Sequence, residues 1–248
     1  MNILITGSGS GIGGFLADSL KNQGHVVFGL THTSCDVTKF YHLDICADQI
    51  ARQTSILDAI IACAGTQGHI GKFMDSDLTA WLKAIEVNLL GSANTFRAFY
   101  RLVEKSRRGK VIFLSGGGAV GSRPRFSSYA VSKAGVVKLA EALADEYPGM
   151  DINAVAPGAI RTKMTETVIN AGPDVAGEKE YNEALAFTID GLPKVLDLVT
   201  FLISSESDGI SGRLIAAGQF SKEGPCHLRA LGPNALRLRR TDAKPLRT

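Results

Sequence analysis

The fold is decided by the stretch Thr6-Gly7-Ser8-Gly9-Ser10-Gly11-Ile12-Gly13, near the start of the chain. It follows the apolar residues 3–5 and precedes apolar residues at helical spacing, so it predicts a tight turn between a strand and a helix. Glycines let the backbone approach a bound group closely, and a helix N-terminus offers free N–H groups to an anion. The stretch therefore predicts a cradle for the pyrophosphate of a dinucleotide, although a flexible turn has the same composition.

Segments typical of strands and helices alternate along the rest of the chain. Apolar runs predict strands at residues 26–28, 58–62, 110–114, 151–156 and 213–217, with a weaker third strand at 40–43. Helical periodicity lies between them, at residues 12–20, 78–105, 128–146 and 194–204. This alternation predicts an α/β protein with a Rossmann-type doubly wound parallel sheet and helices on both faces, formed as a single domain by residues 1–218.

Composition sets the class of protein. The 248 residues are 45% hydrophobic and 21% charged, as in a soluble globular protein. The four cysteines form no CxxC pair, which argues against a disulfide framework or a metal site and favours a reducing compartment. No apolar run is long enough to span a bilayer, and no charged leader precedes the first strand. We therefore expect a cytoplasmic location and no membrane contact.

The positive charge lies at the end of the chain. Residues 219–248 hold seven Lys and Arg against two acidic residues, whereas the whole chain has a net charge of +3. This basic C-terminal extension is typical of a solvated or subunit-packing segment. A nucleic-acid contact is the alternative, but no aromatic residue after Phe220 offers base stacking.

Further polar and small residues follow the predicted strands. Asp44, after the predicted third strand, could accept a hydrogen bond from an adenine amino group, or it could cap a helix. Ala64-Gly65 would let a cofactor cross the sheet edge, and Thr162 could bond the nicotinamide carboxamide. The second predicted strand ends without an acidic residue, and the missing acid favours NADP slightly over NAD.

The pair Tyr129 and Lys133 carries the predicted chemistry. At i and i+4 of a helix, the phenol and the ammonium share a face, and the ammonium would lower the pKa of the phenol. The tyrosine could then exchange a proton with an alcohol or carbonyl oxygen during hydride transfer. Ser115 ends a strand and could hold the substrate oxygen. Asn88 lies in an apolar helix, where its side chain needs a buried partner, if only the backbone.

Together these residues resemble the short-chain dehydrogenase/reductase superfamily over roughly residues 2–218. The resemblance rests on the TGxxxGxG cradle, the Asp44 position, Ala64-Gly65, Asn88, a serine, YxxxK, and Pro157-Gly158 followed by Thr162. It implies NAD or NADP as cofactor and an Asn-Ser-Tyr-Lys tetrad. By that resemblance, Tyr129 is the acid/base, Lys133 tunes it and holds the ribose, Ser115 orients the substrate, and Asn88 supports a water-linked proton relay.

The sequence departs from the family pattern near the site. The usual NAG reads Cys63-Ala64-Gly65, and the position of the catalytic serine is Gly116, one residue after Ser115. The predicted catalytic residues are nevertheless Asn88, Ser115, Tyr129 and Lys133. The predicted cofactor contacts are Gly7, Ser10, Gly11, Ile12, Gly13, Asp44, Ile45, Ala64, Gly65, Tyr129, Lys133, Pro157, Gly158 and Thr162.

The sequence thus predicts an NAD(P)-dependent oxidoreductase that acts on a small alcohol or carbonyl compound. The resemblance also implies a variable substrate lid at about residues 163–193 and a homo-oligomer, a tetramer or dimer, packed through the two long helices. A dinucleotide-binding sensor or structural protein with little or no activity is the alternative, and Gly116 is the feature that favours it.

Overall fold

The structure is a computed structural model that describes residues 1–232 and 234–238. Its strands are β1 (Asn2–Thr6), β2 (Val26–Leu30), β3 (Ala59–Ala62), β4 (Lys110–Leu114), β5 (Asp151–Ala156) and β6 (Leu214–Ala216). Its helices are α1 (Gly11–Asn22), α2 (Phe40–Ala51), α3 (Leu78–Ala84), α4 (Gly91–Val103), α5 (Ser127–Glu146), α6 (Lys163–Ala176), α7 (Glu178–Ala186), α8 (Leu192–Ile203) and α9 (Ala217–Ala230).

The strands form one parallel sheet in the order β2-β1-β3-β4-β5-β6. The chain runs outward from β1 to β2 and then returns to place β3 on the other side of β1. This reversal opens a crevice between β1 and β3 at the carboxyl ends of the strands, where open α/β sheets bind their ligands. The predicted doubly wound Rossmann-type architecture is confirmed.

Alternation along each strand builds a core on both faces of the sheet. Ile3 and Ile5 pack with α1, α8 and α9, whereas Leu4 packs on the opposite face with α2, α4 and α5. All three residues are fully buried. Burying such side chains stabilises the fold by about 1.5–3 kcal/mol each, which is why strands covered on both faces are continuously apolar.

The strand predicted at residues 40–43 is wrong, because these residues begin helix α2. Leu43, Cys46, Ala47 and Ile50 are buried at helical spacing, whereas Tyr41 is exposed. Burial of this helical stripe outweighs the weak alternation of residues 40–43. As a result, β2 is an edge strand, and residues 31–39 connect it to α2.

The predicted helix at residues 78–105 is confirmed as α3 and α4 joined by a π-helical segment, Ile85–Leu90. No helix among residues 1–232 and 234–238 has the length and apolarity needed to cross a membrane.

Helix α9 contains the start of the stretch predicted to be a basic extension. It buries Phe220 and Leu228 against the core that includes α8. Two cations of the predicted extension contact the rest of the domain. Arg229, on α9, donates to the Glu206 carbonyl, and Arg237, after α9, forms an ion pair with Asp145 on α5. Residues 239–248, with the other cations after Arg237, lie outside the described residues.

Candidate active site

A cleft of about 800 Å³ opens at the carboxyl ends of the strands. One part is lined by the glycine-rich loop after β1 and by residues that follow β2; the other is lined by the ends of β3, β4 and β5 and by Tyr129 and Lys133 on α5. Of the predicted site residues, the cleft lining includes Gly7, Ser10, Gly11, Ile12, Gly13, Ala64, Gly65, Ser115, Tyr129, Lys133, Pro157 and Thr162.

The glycine-rich loop has the geometry of a cradle. Gly7 has a φ of +70°, and a Cβ there would lie 2.8 Å from the Ala64 backbone. A Cβ on Gly13 would lie 2.3 Å from the carbonyl oxygen of Gly7. Helix α1 begins directly after this loop, and the Ser10 side chain does not cap its N-terminus. The first turn of α1, which lines the cleft, therefore has no side-chain cap, and the loop fits the pyrophosphate of a dinucleotide.

Residues after β2 line one end of the cleft, and the sequence prediction missed them. Asp36 and Val37 contribute to the lining together with the turn residues Thr31, His32 and Thr33. In Asp36, Oδ1 accepts hydrogen bonds from the backbone N–H and the hydroxyl of Thr38, at 2.9 and 2.7 Å. These bonds hold the pKa of Asp36 below its usual value, so the carboxylate is charged.

Asp44 and Ile45, by contrast, are not brought to the cleft. Both lie on α2, where they are exposed. Their selection followed from the wrong strand at residues 40–43, which moved the end of the supposed strand past Asp36. The helical spacing of Leu43, Cys46 and Ile50 was the signal that could have located α2 and pointed to the aspartate before it. Gly158 also lies outside the lining, although it neighbours Pro157.

Asn88 is buried within the π-helical segment and joins two parts of the site. Its Oδ1 accepts from the Thr66 backbone N–H at 2.8 Å, and its Nδ2 donates to the Thr66 carbonyl and to the Ser132 hydroxyl. The Ser132 hydroxyl in turn donates to the carbonyl of Tyr129. Asn88 therefore fixes the loop after β3 against the first turns of α5. Widened π turns recur at functional sites.

Lys133 is buried, with 4% of its surface exposed, and its Nζ donates to the Leu114 carbonyl at 2.7 Å. Burial lowers the pKa of Lys133 to about 8. Because an ammonium has three donors, the Leu114 bond leaves capacity for hydroxyl groups of a ligand in the cleft. Its Nζ lies 5.6 Å from the centre of the Tyr129 ring.

Tyr129 is also buried, and burial raises its pKa above the usual value. The charge that acts in the opposite direction is the Arg123 guanidinium, 5.4 Å from the centre of the Tyr129 ring. Lys133 Nζ lies about as near the Tyr129 ring as the Arg123 guanidinium does, and the expectation that it lowers the pKa of Tyr129 stays a prediction. The phenol is protonated at neutral pH and suits the donation of a proton.

The serine prediction depends on the relation between Ser115 and Gly116. The Ser115 hydroxyl points to the Lys133 carbonyl at 3.4 Å, and the residue is 2% exposed. At Gly116, a Cβ would lie 2.3 Å from the Tyr129 hydroxyl oxygen. Glycine is therefore the residue type that lets this hydroxyl lie against the backbone after β4, and a serine at 116 would require Tyr129 to move.

Helices α6 and α7 lie within the segment predicted to be a substrate lid, which is called the lid from here on. Thr162 is the N-cap of α6 and exchanges hydrogen bonds with Thr165, which fixes the start of the lid beside the cleft. The lid packs on Tyr129 and Phe126 through a small apolar cluster with Val168, Ala176 and Ala184. Met164, at the start of α6, lies near Gly65 and lines the cleft.

The sequence of this chain is similar to that of known oxidoreductases. The family model described as Enoyl-(Acyl carrier protein) reductase matches residues 16–218. The 3-oxoacyl-[acyl-carrier-protein] reductase MabA of Mycobacterium tuberculosis is 29% identical over 233 residues, which cover 86% of this chain and 90% of that protein. Oxidoreductase UcpA of Salmonella typhimurium is 29% identical over 204 residues, covering 79% and 76%.

Solved structures share the fold. An actinorhodin polyketide ketoreductase with NADPH has a TM-score of 0.77 at 22% identity, covering 87% of this chain and 95% of that one. A short chain dehydrogenase of Escherichia coli complexed with NADPH has a TM-score of 0.75 at 23% identity, with the same coverage. These structures therefore share the architecture of this chain.

Proposed function

This chain belongs to the short-chain dehydrogenase/reductase superfamily, and we propose that it is an NAD(P)-dependent oxidoreductase that transfers hydride between the nicotinamide and a small alcohol or carbonyl substrate. The observation that carries the proposal is the shared cleft. It is lined by the glycine cradle after β1 and by both Tyr129 and Lys133 of α5. The family resemblance drawn from the motifs is confirmed.

The chain's own residues supply the proton and the positioning. A bound nicotinamide dinucleotide would supply or accept the hydride. Tyr129, protonated at neutral pH, donates its hydroxyl proton to the carbonyl oxygen, and in the reverse direction it takes the proton from the alcohol. Lys133, held by the Leu114 carbonyl, hydrogen-bonds ribose hydroxyls, and Asn88 holds the loop after β3. The lid cluster over Tyr129 limits access of water.

NADP is the preferred cofactor in this proposal. The chain after β2 forms a turn rich in hydroxyls: Thr31 bonds to Ser34 through backbone and side-chain groups, and His32 lines the cleft. Such donors suit a 2′-phosphate, whereas an acidic residue at the end of β2 would favour NAD. The NADPH in two of the similar structures is consistent with this choice.

A thermal unfolding comparison tests the cofactor. We expect saturating NADP or NADPH to raise the melting temperature more than NAD or NADH does. A ligand at 100 times its Kd adds about 2.7 kcal/mol of stability. Gly13→Ala should remove the shift, because the added Cβ would clash with the Gly7 carbonyl. Gly14→Ala is the matched control, since its Cβ lies 3.4 Å from the nearest atom. No shift with any of the four nucleotides would end the enzyme proposal.

The adenine end has its own test. We propose that Asp36, through its carboxylate, accepts a hydrogen bond from the adenine amino group, the role that the sequence assigned to Asp44. Asp36→Ala should weaken NADPH binding by about 10- to 150-fold, since a hydrogen bond to a charged group contributes roughly 1.5–3 kcal/mol. Asp44→Ala should leave the Kd unchanged, because Asp44 is exposed on α2. Fluorescence titration of NADPH with both variants measures this; a larger loss in Asp44→Ala would contradict the assignment.

The second candidate function is a dinucleotide-binding sensor or structural protein with little turnover. The observation that favours it is the absence of a side chain at Gly116, where the family has its catalytic serine, together with the Ser115 hydroxyl turned to the Lys133 carbonyl. Such a protein would bind NADPH and show no dependence of any activity on Tyr129.

Residues outside the cleft carry two further proposals. We propose that the chain forms a homo-oligomer through its long helices, where Leu90 and Val131 are exposed. We also propose that residues 219–248 serve this packing as a basic extension to the domain formed by residues 1–218. Size measurement by light scattering tests the homo-oligomer, and the same measurement without residues 239–248 tests whether that part of the extension contributes to it.

A further inference from the structure

Arg123 lies in the loop between β4 and α5, close to the proposed proton donor. Its guanidinium carbon lies 4.1 Å from the centre of the Phe126 ring and 5.4 Å from that of Tyr129. The side chain is 16% exposed. An arginine in this position keeps its charge at every working pH, and its stacking on Phe126 holds it in one place.

The other titratable groups around Tyr129 offer less positive charge. Lys133 has a pKa of about 8 because it is buried, so its charge declines in mildly alkaline solution. Burial raises the pKa of the Cys63 thiol to about 12, so Cys63 is neutral. The lid residues packed in the cluster with Tyr129 are apolar. Arg123 is therefore the permanent cation beside the phenol among the described residues.

The lid holds Arg123 in this position. Glu180 on α7 accepts from Arg123 Nε at 2.8 Å, and the Glu180 side chain is 18% exposed. Arg125, two residues further on, donates to the carbonyls of Asp174 and Val175 at the end of α6. Arg125 has a φ of +69°, a backbone conformation that residues other than glycine adopt rarely. The loop before α5 is thus attached to both lid helices through charged side chains.

We propose that Arg123 is a positioning residue: docking of the α6–α7 lid through Glu180 places its guanidinium beside Tyr129, where it favours the negatively charged form of the phenol. The proposal rests on the proposed function for its catalytic meaning, because the phenolate is the form that Tyr129 takes after donating its proton. The geometry itself can be tested without any substrate.

Glu180 links this effect to the state of the lid. With the lid docked, the ion pair is mostly shielded from solvent. Because water screens it less, the Arg123 guanidinium acts more strongly on the Tyr129 phenol than an exposed arginine would. With the lid away, Arg123 loses its carboxylate partner, and the stacking on Phe126 is the contact that still opposes its extension into water. Closure over a substrate would therefore assist proton donation at the moment when the substrate is enclosed.

Alkaline titration of Tyr129 is the first measurement. Phenolate absorbance is followed after rapid pH jumps, before unfolding, and the signal of Tyr129→Phe is subtracted. Arg123→Gln should raise the titration midpoint of Tyr129 by about one pH unit, since a close opposite charge lowers such a pKa by one unit or more. Arg123→Lys should shift it less. Arg161→Gln is the matched control: it breaks a more exposed ion pair, with Glu166 on the same lid, and should leave the midpoint unchanged.

Glu180→Ala tests the lid. It should speed limited proteolysis within residues 163–186. It should also raise the titration midpoint of Tyr129, because the released guanidinium no longer lies beside the phenol; loss of the carboxylate charge alone would lower the midpoint. An unchanged midpoint in Arg123→Gln, or an equal shift in Arg161→Gln, would overturn the proposal, and so would an unchanged or lowered midpoint in Glu180→Ala. Because the titration uses neither cofactor nor substrate, loss of the proposed function would appear separately, as absent NADPH binding in the wild-type chain.

Discussion

Tyr129→Phe is expected to abolish turnover of a carbonyl substrate while NADPH binds with nearly the wild-type affinity. The substitution removes one oxygen, the proton donor, and keeps the ring in the apolar cluster under the lid. Positioned general acid catalysis contributes about 10²–10⁴-fold, so we expect a loss of that size in kcat. The measurements are the rate of NADPH oxidation with a panel of small ketones and aldehydes, and the Kd of NADPH by fluorescence.

Tyr147→Phe is the matched control for this experiment. Tyr147 follows the last turn of the same helix and packs with Phe96 and Tyr100, away from the cleft lining. Its loss of a hydroxyl should leave both turnover and NADPH affinity unchanged. If Tyr129→Phe turns over as fast as the wild type, the proton transfer assigned to Tyr129 is wrong. If neither the wild type nor any variant turns over but all bind NADPH, the sensor function is favoured.

The sequence predicts the sheet well because strands that are buried on both faces form nearly continuous apolar runs. The runs at residues 58–62, 110–114 and 151–156 are continuously apolar, or nearly so, and each agrees with a strand to within one residue. Residues 40–43 do not form such a run. Their two-residue alternation is equally compatible with the first turn of an amphipathic helix, and only the longer spacing through Ile50 separates the two. Because of that ambiguity, the sequence predicts the adenine contact at Asp44, whereas the aspartate in the cleft lining is Asp36.

Local spacing also predicts the pairing of Tyr129 with Lys133, since both lie on one helix. It cannot predict contacts made across long sequence separations. The hydroxyl of Tyr129 lies against Gly116, and Glu180 reaches Arg123 from the lid, and both contacts exist only once α5, α6 and α7 have packed. The direction of the Tyr129 pKa shift belongs to the same class, because its largest cause is burial, which exists only once the helices have packed.

Asp151→Ala is expected to cause the largest loss of stability, about 3–5 kcal/mol in the free energy of unfolding, with little effect on the active site. Asp151 begins β5 and Lys110 begins β4, so both lie at the end of the sheet opposite the cleft. The Asp151 carboxylate is 1% exposed and accepts from Lys110 Nζ at 2.7 Å and from two nitrogens of Arg108. Its removal leaves the buried ammonium with one carboxylate partner, Asp208, and chemical denaturation measures the cost.

Two further variants distinguish the effect of the buried ion pair on stability from the effect of an exposed one. Glu183→Gln breaks an exposed pair with Lys179 on α7 and should change stability by about 1 kcal/mol or less. The double variant Lys110→Met with Asp151→Ala should be more stable than Asp151→Ala alone, because the cost comes chiefly from burying an ammonium that has lost a partner. A double variant that is less stable than Asp151→Ala would show that Lys110 stabilises the fold through its bonds to Asp208 and Ser207 instead. In either case NADPH affinity below the melting transition should match the wild type, since the cradle lies at the other end of the sheet.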